Sequence, residues 1–132
     1  MGAADFLLGV CENWMTPALF LSVTFIAGAV ISFFTGSSWG TFAICIPIAV
    51  PMAYSFTGGQ LGTLVYAAVG AVVSGGLFGD HCSPVSDTSV LSSLGAACDH
   101  IDHVRTQLPY ALLAAAVSII LWIVVALVGG AA

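Results

Sequence analysis

"SGGLFGDHCSPVSDTSVLSS", residues 74–93, is the stretch that decides how this chain is organised. It holds two aspartates, a histidine, a proline and a run of hydroxyl residues, and strongly apolar sequence flanks it on both sides. Pro84 cannot sit inside a regular helix without removing a backbone hydrogen bond. The stretch therefore predicts a helix that is unwound at residues 79–87 and resumes at about Thr88.

The composition places the whole chain in a membrane. Of the 132 residues, 60% are hydrophobic and only 5% are charged, whereas about a quarter of the residues of a soluble domain are charged. No charged residue occurs from Asn13 to Gly79 or from Thr106 to Ala132. We therefore expect an all-α, multi-pass protein of the cell membrane, with the lipid bilayer as its surroundings, and neither a soluble enzyme nor a nucleic-acid-binding protein.

Apolar runs and turn signals divide the chain, which we interpret as a single membrane domain, residues 1–132. Thr16-Pro17 is typical of a helix start, because a capping hydroxyl precedes a proline at the first helical position. The predicted segments are an N-terminal segment at 1–16, a helical hairpin at 17–55 with its tip at 35–38, a helix at 60–97 broken at 79–87, a polar loop at 98–107 and a transmembrane helix at 108–130.

The tip of the hairpin consists of Thr35, Gly36, Ser37 and Ser38, which are small residues without charge. A loop at the membrane surface usually carries a charge or an aromatic–basic belt. Irregular backbone at membrane depth is tolerated only where protein or a water-filled cavity surrounds it. The tip therefore favours a re-entrant hairpin, and two ordinary membrane spans are the alternative.

The polar patch is the candidate site, because an ionisable group at mid-membrane costs roughly 2.5–3.5 kcal/mol on insertion scales. Asp80 and Asp87 flank the break and are the candidate Na⁺-binding carboxylates. Hard cations prefer oxygen ligands, and broken helices facing a midplane site are typical of secondary transporters. Hydroxyl oxygens are available from the break, at Ser83, Ser86 and Thr88, and from the hairpin, at Thr35, Ser37, Ser38 and Thr41.

Each of these residues also has a simpler interpretation. Asp87 is a good N-cap for a helix that starts at Thr88. Asp80 ends a helix, where the dipole disfavours an anion, so its simpler role is interfacial, with the break at the membrane surface. His81 is a possible proton relay, since its unperturbed pKa is near 6.5, or it only bonds a neighbour. The group Cys98, His100 and His103 is interpreted as part of a solvated loop and not as a metal site.

Two stretches resemble a known family. "TGSSWGTFAICIPIA", residues 35–49, and "FGDHCSPVSDTSVLSSLGAACDHIDHVRTQLPYAL", residues 78–112, are similar to the C-terminal half of NhaC-type Na⁺/H⁺ antiporters. The resemblance implies the ion-transporter superfamily fold, in which each inverted repeat holds a re-entrant hairpin, a broken helix and a closing helix. It implies Na⁺/H⁺ antiport by alternating access, with Na⁺ and H⁺ as transported ions and no cofactor. The alternative is Na⁺- or H⁺-coupled exchange of an organic anion or an amino acid.

The chain is much shorter than the members of the family that it resembles. It offers one hairpin, one broken helix and one closing span, whereas the family's fold needs two such repeats. We therefore expect a half-transporter or subunit, whose partner is a separate polypeptide with the other repeat or another copy of this chain. The remaining alternatives are a non-transporting membrane subunit, a gene fragment and an ion channel with a polar re-entrant loop.

Overall fold

The computed structural model describes residues 15–129, and helices occupy most of them. The five helices in this range are α1 (Pro17–Thr35), α2 (Ser38–Phe56), α3 (Thr63–Cys82), α4 (Asp87–Gly95) and α5 (His100–Gly129). All except α4 are long and apolar enough to cross a membrane. The predicted all-α, multi-pass membrane class is therefore confirmed.

The turn between α1 and α2 is two residues long. Gly36 ends α1 in the left-handed conformation, with φ of 66°, and its N–H donates to the Ser32 carbonyl. The Ser37 hydroxyl then caps α2 by accepting from the Gly40 N–H. Of the four predicted tip residues, Thr35 is thus the last residue of α1 and Ser38 is the first of α2.

Helices α1 and α3 are in backbone contact along a seam of small residues. A Cβ atom on Gly75 would overlap the carbonyl oxygen of Phe25, and one on Gly79 would overlap that of Ala29. From the other side, a Cβ on Gly28 would lie 3.3 Å from the Val72 carbonyl oxygen. Glycine pairs spaced four residues apart let membrane helices approach this closely. The seam holds α1 and α3 side by side, with their residue numbers rising in the same direction.

Helices α2 and α5 run antiparallel to α3. The beginning of α2 lies near the end of α3, since Phe42 packs against Gly76. The end of α2 lies near the beginning of α1, since the rings of Phe56 and Phe20 are 5.4 Å apart. On α5, Trp122 packs over Gly70. The hairpin tip, the break after α3 and the beginning of α5 consequently lie at the same end of the bundle.

The break in the chain is shorter than the sequence predicted. Helix α3 continues to Cys82 and α4 begins at Asp87, so only residues 83–86 are outside a helix and not 79–87. Pro84 restricts the residue directly before it, and Ser83 is accordingly extended, with φ of −74° and ψ of 133°. This steric restriction does not extend to residues 79–82, which stay helical.

The predicted polar loop at 98–107 is mostly helical, because α5 begins at His100. The Asp99 carboxylate accepts from the backbone N–H groups of Ile101 and Asp102, at 2.9 and 3.2 Å. These bonds satisfy donors of the first turn that would otherwise be unpaired. Charged residues can therefore continue the closing helix beyond its apolar part. The predicted segments at 1–16 and 108–130 extend, at residues 1–14 and 130, outside the described residues.

Candidate ion-binding site

Asp80 is the centre of the candidate site. It lies in the last turn of α3 and is only 7% exposed. Its Oδ2 accepts from the Ser38 hydroxyl at 3.0 Å, and its Oδ1 accepts from the Ser86 hydroxyl at 2.5 Å. The only lysine or arginine of the chain, Arg105, is exposed on α5. Two hydroxyl dipoles, one from the start of α2 and one from the break, thus face a buried carboxylate.

Ser86 connects that carboxylate to the start of α4. Its oxygen accepts from the Thr88 N–H at 3.2 Å and lies 2.7 Å from the Thr88 hydroxyl. Ser86 has a single hydroxyl proton, which it donates to Asp80, so Thr88 is the donor in the second pair. The N-cap of α4 is therefore Ser86, and the interpretation of Asp87 as an N-cap is wrong. Asp87 is the first helical residue, is exposed, and faces no dipole penalty there.

The hairpin tip is fixed against the break. The Ser83 hydroxyl donates to the Phe33 carbonyl at 2.6 Å and accepts from the Val85 N–H at 3.1 Å. A Cβ on Gly36 would lie 2.9 Å from the Val85 carbonyl carbon and oxygen. Only glycine fits this contact, because the tip combines a positive φ with backbone approach. The two regions that the sequence singled out are thus brought together.

The predicted site residues differ in whether they bond the Asp80 carboxylate directly. Thr41 is fully buried and donates to the Ser37 carbonyl at 2.9 Å. Thr35 is exposed and donates to the Ile31 carbonyl of its own helix at 2.8 Å. Direct hydrogen bonds to the Asp80 carboxylate come from Ser38 and Ser86, and Thr88 is one bond further away. Ser83 joins the break to the tip, and Ser37 and Thr41 bond within the first turn of the helix that carries Ser38. In the part of the chain that the structure describes, no bond of Thr35 connects it to the site.

A cavity of about 530 Å³ leads to Asp80 from the side of α5. Asp80, His81 and Thr88 line one part of it, and Ser74 and Ser118 line another. The rest of the wall is apolar, from Phe25, Leu77, Phe78, Ala111, Ala114 and Ala115. His81 is exposed. The carboxylate is therefore buried among protein atoms but borders a space that small solutes can enter.

Sequence reasoning missed His100. Its Nε2 lies 2.8 Å from the Pro84 carbonyl oxygen, and its Nδ1 lies 3.3 Å from the Ser93 hydroxyl. The residue was placed in a solvated loop because nothing in the sequence shows that α4 folds back toward the break. Within residues 15–129, no three His, Cys, Asp or Glu side chains form a group that could hold a metal ion.

A bundle of apolar helices around a buried carboxylate is typical of a membrane ion transporter. The chain belongs to the Na⁺/H⁺ antiporter family, whose family model matches residues 2–127. The proteins of this family are transporters and not enzymes.

Three curated relatives give the scale of the similarity. An uncharacterised protein of Haemophilus influenzae is 52% identical over 110 residues, covering 83% of this chain and 20% of that protein. The malate-2H⁺/Na⁺-lactate antiporter of Bacillus subtilis is 36% identical, covering 89% of this chain and 24% of the relative. The Na⁺/H⁺ antiporter NhaC of Alkalihalophilus pseudofirmus is 32% identical, covering 94% and 26%. The chain thus spans about a quarter or less of the length of these relatives. No solved structure matches it.

Proposed function

We propose that this chain forms an ion-binding part of a Na⁺/H⁺ antiporter that works by alternating access. The observation that carries the proposal is the buried carboxylate of Asp80, held by the hydroxyls of Ser38 and Ser86. A buried carboxylate is stabilised either by a bound cation or by a proton. If Na⁺ and H⁺ compete for the same carboxylate, the release of one accompanies the binding of the other, which is the coupling that antiport requires.

The residues present suit Na⁺ as cargo. The Asp80 carboxylate and the hydroxyl oxygens of Ser38, Ser86 and Thr88 are all oxygen donors, the ligand type that hard cations prefer. Asp87 is exposed at the first turn of α4 and provides a second negative charge near the break. In this proposal His81, which borders the same cavity, passes protons between the solvent and Asp80.

The proposal includes a second repeat that completes the site. Backbone groups of residues 83–86 are outside helices, and lipid satisfies none of the hydrogen bonds of an irregular backbone. Val85, within this segment, and Asp87 and Thr88, directly after it, are exposed. We infer that they are covered by further polypeptide, which is either another part of a longer chain, a separate subunit, or a second copy inserted the opposite way up. The hairpin is re-entrant in this proposal.

Exchange of an organic solute is the second candidate, and the cavity favours it. A volume of about 530 Å³ far exceeds what one Na⁺ ion occupies and lies within the range of roughly 300–1,000 Å³ that is typical of small-molecule pockets. One relative is named as a malate-2H⁺/Na⁺-lactate antiporter, and one from Halobacterium salinarum, 31% identical, as an arginine/ornithine antiporter. In this alternative function, binding of a cation at Asp80 drives the movement of a solute bound beside it.

Direct binding of radioactive Na⁺ to the purified chain in lipid nanodiscs tests the proposal. We expect saturable binding that is displaced by protons and is lost in Asp80→Asn, because the amide keeps the shape of the side chain but not its charge. Ser92→Ala, on the exposed face of α4, is the matched control and should bind as the unmodified chain does. Equal binding by Asp80→Asn would refute the ion site and favour a non-transporting membrane subunit.

A further inference from the structure

The break leaves several backbone carbonyls without their helical partners, and the carbonyl of Pro84 is one of them. In a continuous helix, the Pro84 carbonyl would accept from the N–H of Thr88, four residues later. Here that N–H donates to the Ser86 hydroxyl instead. A backbone acceptor inside a membrane protein must be satisfied by protein or by water. The Pro84 carbonyl is therefore a group for which the fold has to provide a donor from elsewhere.

His100 provides that donor. Its Nε2 lies 2.8 Å from the Pro84 oxygen, and since a carbonyl oxygen can only accept, Nε2 carries a proton. The other ring nitrogen lies 3.3 Å from the Ser93 hydroxyl of α4. His100 is also the first residue of α5 and is partly buried. A single imidazole thus joins the break to the two helices that follow it.

The position of Pro84 determines where two site hydroxyls lie. Ser83, directly before it, donates to the Phe33 carbonyl, and Ser86, two residues after it, donates to Asp80. Ser86 and Thr88 hold one another across the first turn of α4. A change of backbone at Pro84 would therefore move the Ser86 oxygen relative to the carboxylate.

We propose that His100 is a positioning residue for the ion site at Asp80. It acts through the Pro84 backbone and does not touch the ion. The proposal rests on the proposed function, namely that Asp80 binds Na⁺. It gives the first turn of α5 a role in ion affinity, because a displacement of α5 is transmitted through His100 and Pro84 to Ser86. Since α5 also supplies Ala111 and Ala114 to the wall of the cavity, access to the site and affinity at the site are then linked.

Two variants of the complete chain in nanodiscs separate this role from simple packing. His100→Leu removes the donor, whereas His100→Gln keeps an N–H group on a side chain of similar reach. His103→Leu, on the same helix, is the control, because His103 bonds Asp99 through its backbone N–H, which the substitution keeps. We expect Na⁺ affinity to fall by more than twofold in His100→Leu, with about tenfold as the limit if the whole free energy of one buried hydrogen bond is lost from binding. In the other two variants it should stay within about twofold of the unmodified chain.

Hydrogen–deuterium exchange of the Val85 and Ser86 amides gives a readout that does not depend on ion binding. Both amides donate to Ser83, at 3.1 and 3.4 Å, and we expect them to exchange faster in His100→Leu but not in His103→Leu. If the unmodified chain does not bind Na⁺, the proposed function fails, while the exchange rates still show whether His100 holds the break. Unchanged exchange in His100→Leu, or Na⁺ affinity within twofold of the unmodified chain, would overturn the inference.

Discussion

The Ser86 hydroxyl oxygen lies 2.5 Å from Oδ1 of Asp80 and, with the same atom, caps helix α4. One side chain therefore serves both the charge of the site and the start of the helix that follows the break. Because the two functions share an atom, we expect ion binding at the proposed site to be coupled to the placement of α4. In the proposed site the same hydroxyl oxygen is also a ligand of the cation.

Ser86→Ala should reduce both Na⁺ affinity and stability. The loss of an N-cap costs about 1 kcal/mol, and the loss of the hydroxyl removes one of the oxygen ligands proposed for Na⁺. Thermal unfolding in detergent and Na⁺ binding in nanodiscs measure the two effects. Ser92→Ala is the control on the same helix, since its hydroxyl only donates to the Thr88 carbonyl behind it. Full Na⁺ affinity in Ser86→Ala would show that Asp80 does not need this donor.

Gly79→Ala should strongly destabilise the fold, because the added methyl group would overlap the Ala29 carbonyl oxygen in the seam between α1 and α3. Overpacking of this kind costs roughly 1–3 kcal/mol or more. Gly95→Ala is the matched control, because no atom lies within 4 Å of a Cβ there, and in a helix it should be neutral or stabilising. Denaturant titration of both variants checks the prediction. Equal stability of the two would mean that the seam can open.

The depth of the hairpin tip distinguishes a re-entrant hairpin from two ordinary spans. In a background without the native cysteines, a nitroxide attached at Ser37→Cys should lie deeper in the bilayer than one at Asp102→Cys, an exposed reference in the first turn of α5. Electron paramagnetic resonance with oxygen and a polar nickel complex as relaxation agents measures the depth. Equal depth for the two labels would favour ordinary spans, since the tip and the start of α5 lie at the same end of the bundle.

The tip should also report ion binding by its chemistry. A small charged thiol reagent should modify Ser37→Cys, which is partly buried, but not Thr41→Cys, which is fully buried one turn further along α2. We expect Na⁺ to slow the reaction at Ser37→Cys, because the neighbouring Ser38 hydroxyl contacts Asp80. Rates followed by mass shift on a gel provide the measurement. A reaction at Ser37→Cys that is insensitive to Na⁺ would place the tip outside the ion site.

Transport should require more polypeptide than this chain. The helices around Asp80 leave Asp87 and Thr88 exposed, so we expect the isolated chain to bind Na⁺ but not to exchange it for protons in liposomes. Adding the part of a longer relative that this chain does not cover should restore exchange. The oligomeric mass in mild detergent is measured on the same samples. An active monomer would defeat the half-transporter proposal, and an active homodimer would favour an antiparallel pair of copies.

The sequence was sufficient for the apolar helices, the helical break and the small-residue tip, because each depends on local chemistry. Pro84 favours an interruption, but Pro47, Pro51 and Pro109 lie inside helices, so the prediction also depended on the polar residues around Pro84. Gly36 favours a helix end because glycine adopts the left-handed conformation without strain. The extent of the break was overestimated because polarity was taken as a sign of unwinding. Asp80 and His81 are polar, yet they keep helical backbone in the last turn of α3.

The contacts that complete the site could not be predicted, because they join residues far apart in the chain. Asp87 and Ser86 are both good N-caps, and the choice of Ser86 depends on how the break places its hydroxyl against Asp80. The bond from His100 to Pro84 depends on the path of α4, which sequence periodicity does not give. Local patterns thus indicated which polar residues are candidates for the site, but not which of them contact one another.

The seam between α1 and α3 has a mechanical consequence. A methyl group does not fit between Gly75 or Gly79 and the opposite backbone, so a shift of one helix along the other would bring larger side chains into this contact. We therefore expect the hairpin and the helix that carries Asp80 to move together as one block. Helix α5 meets that block and the break through side chains, among them Trp122 over Gly70 and His100 on the Pro84 carbonyl, and rotamer changes can adjust such contacts. We then expect the site to switch access from one side of the membrane to the other when the block is displaced against α5. The adjustable side-chain contact would be at Trp122 and the rigid backbone contact at Gly79.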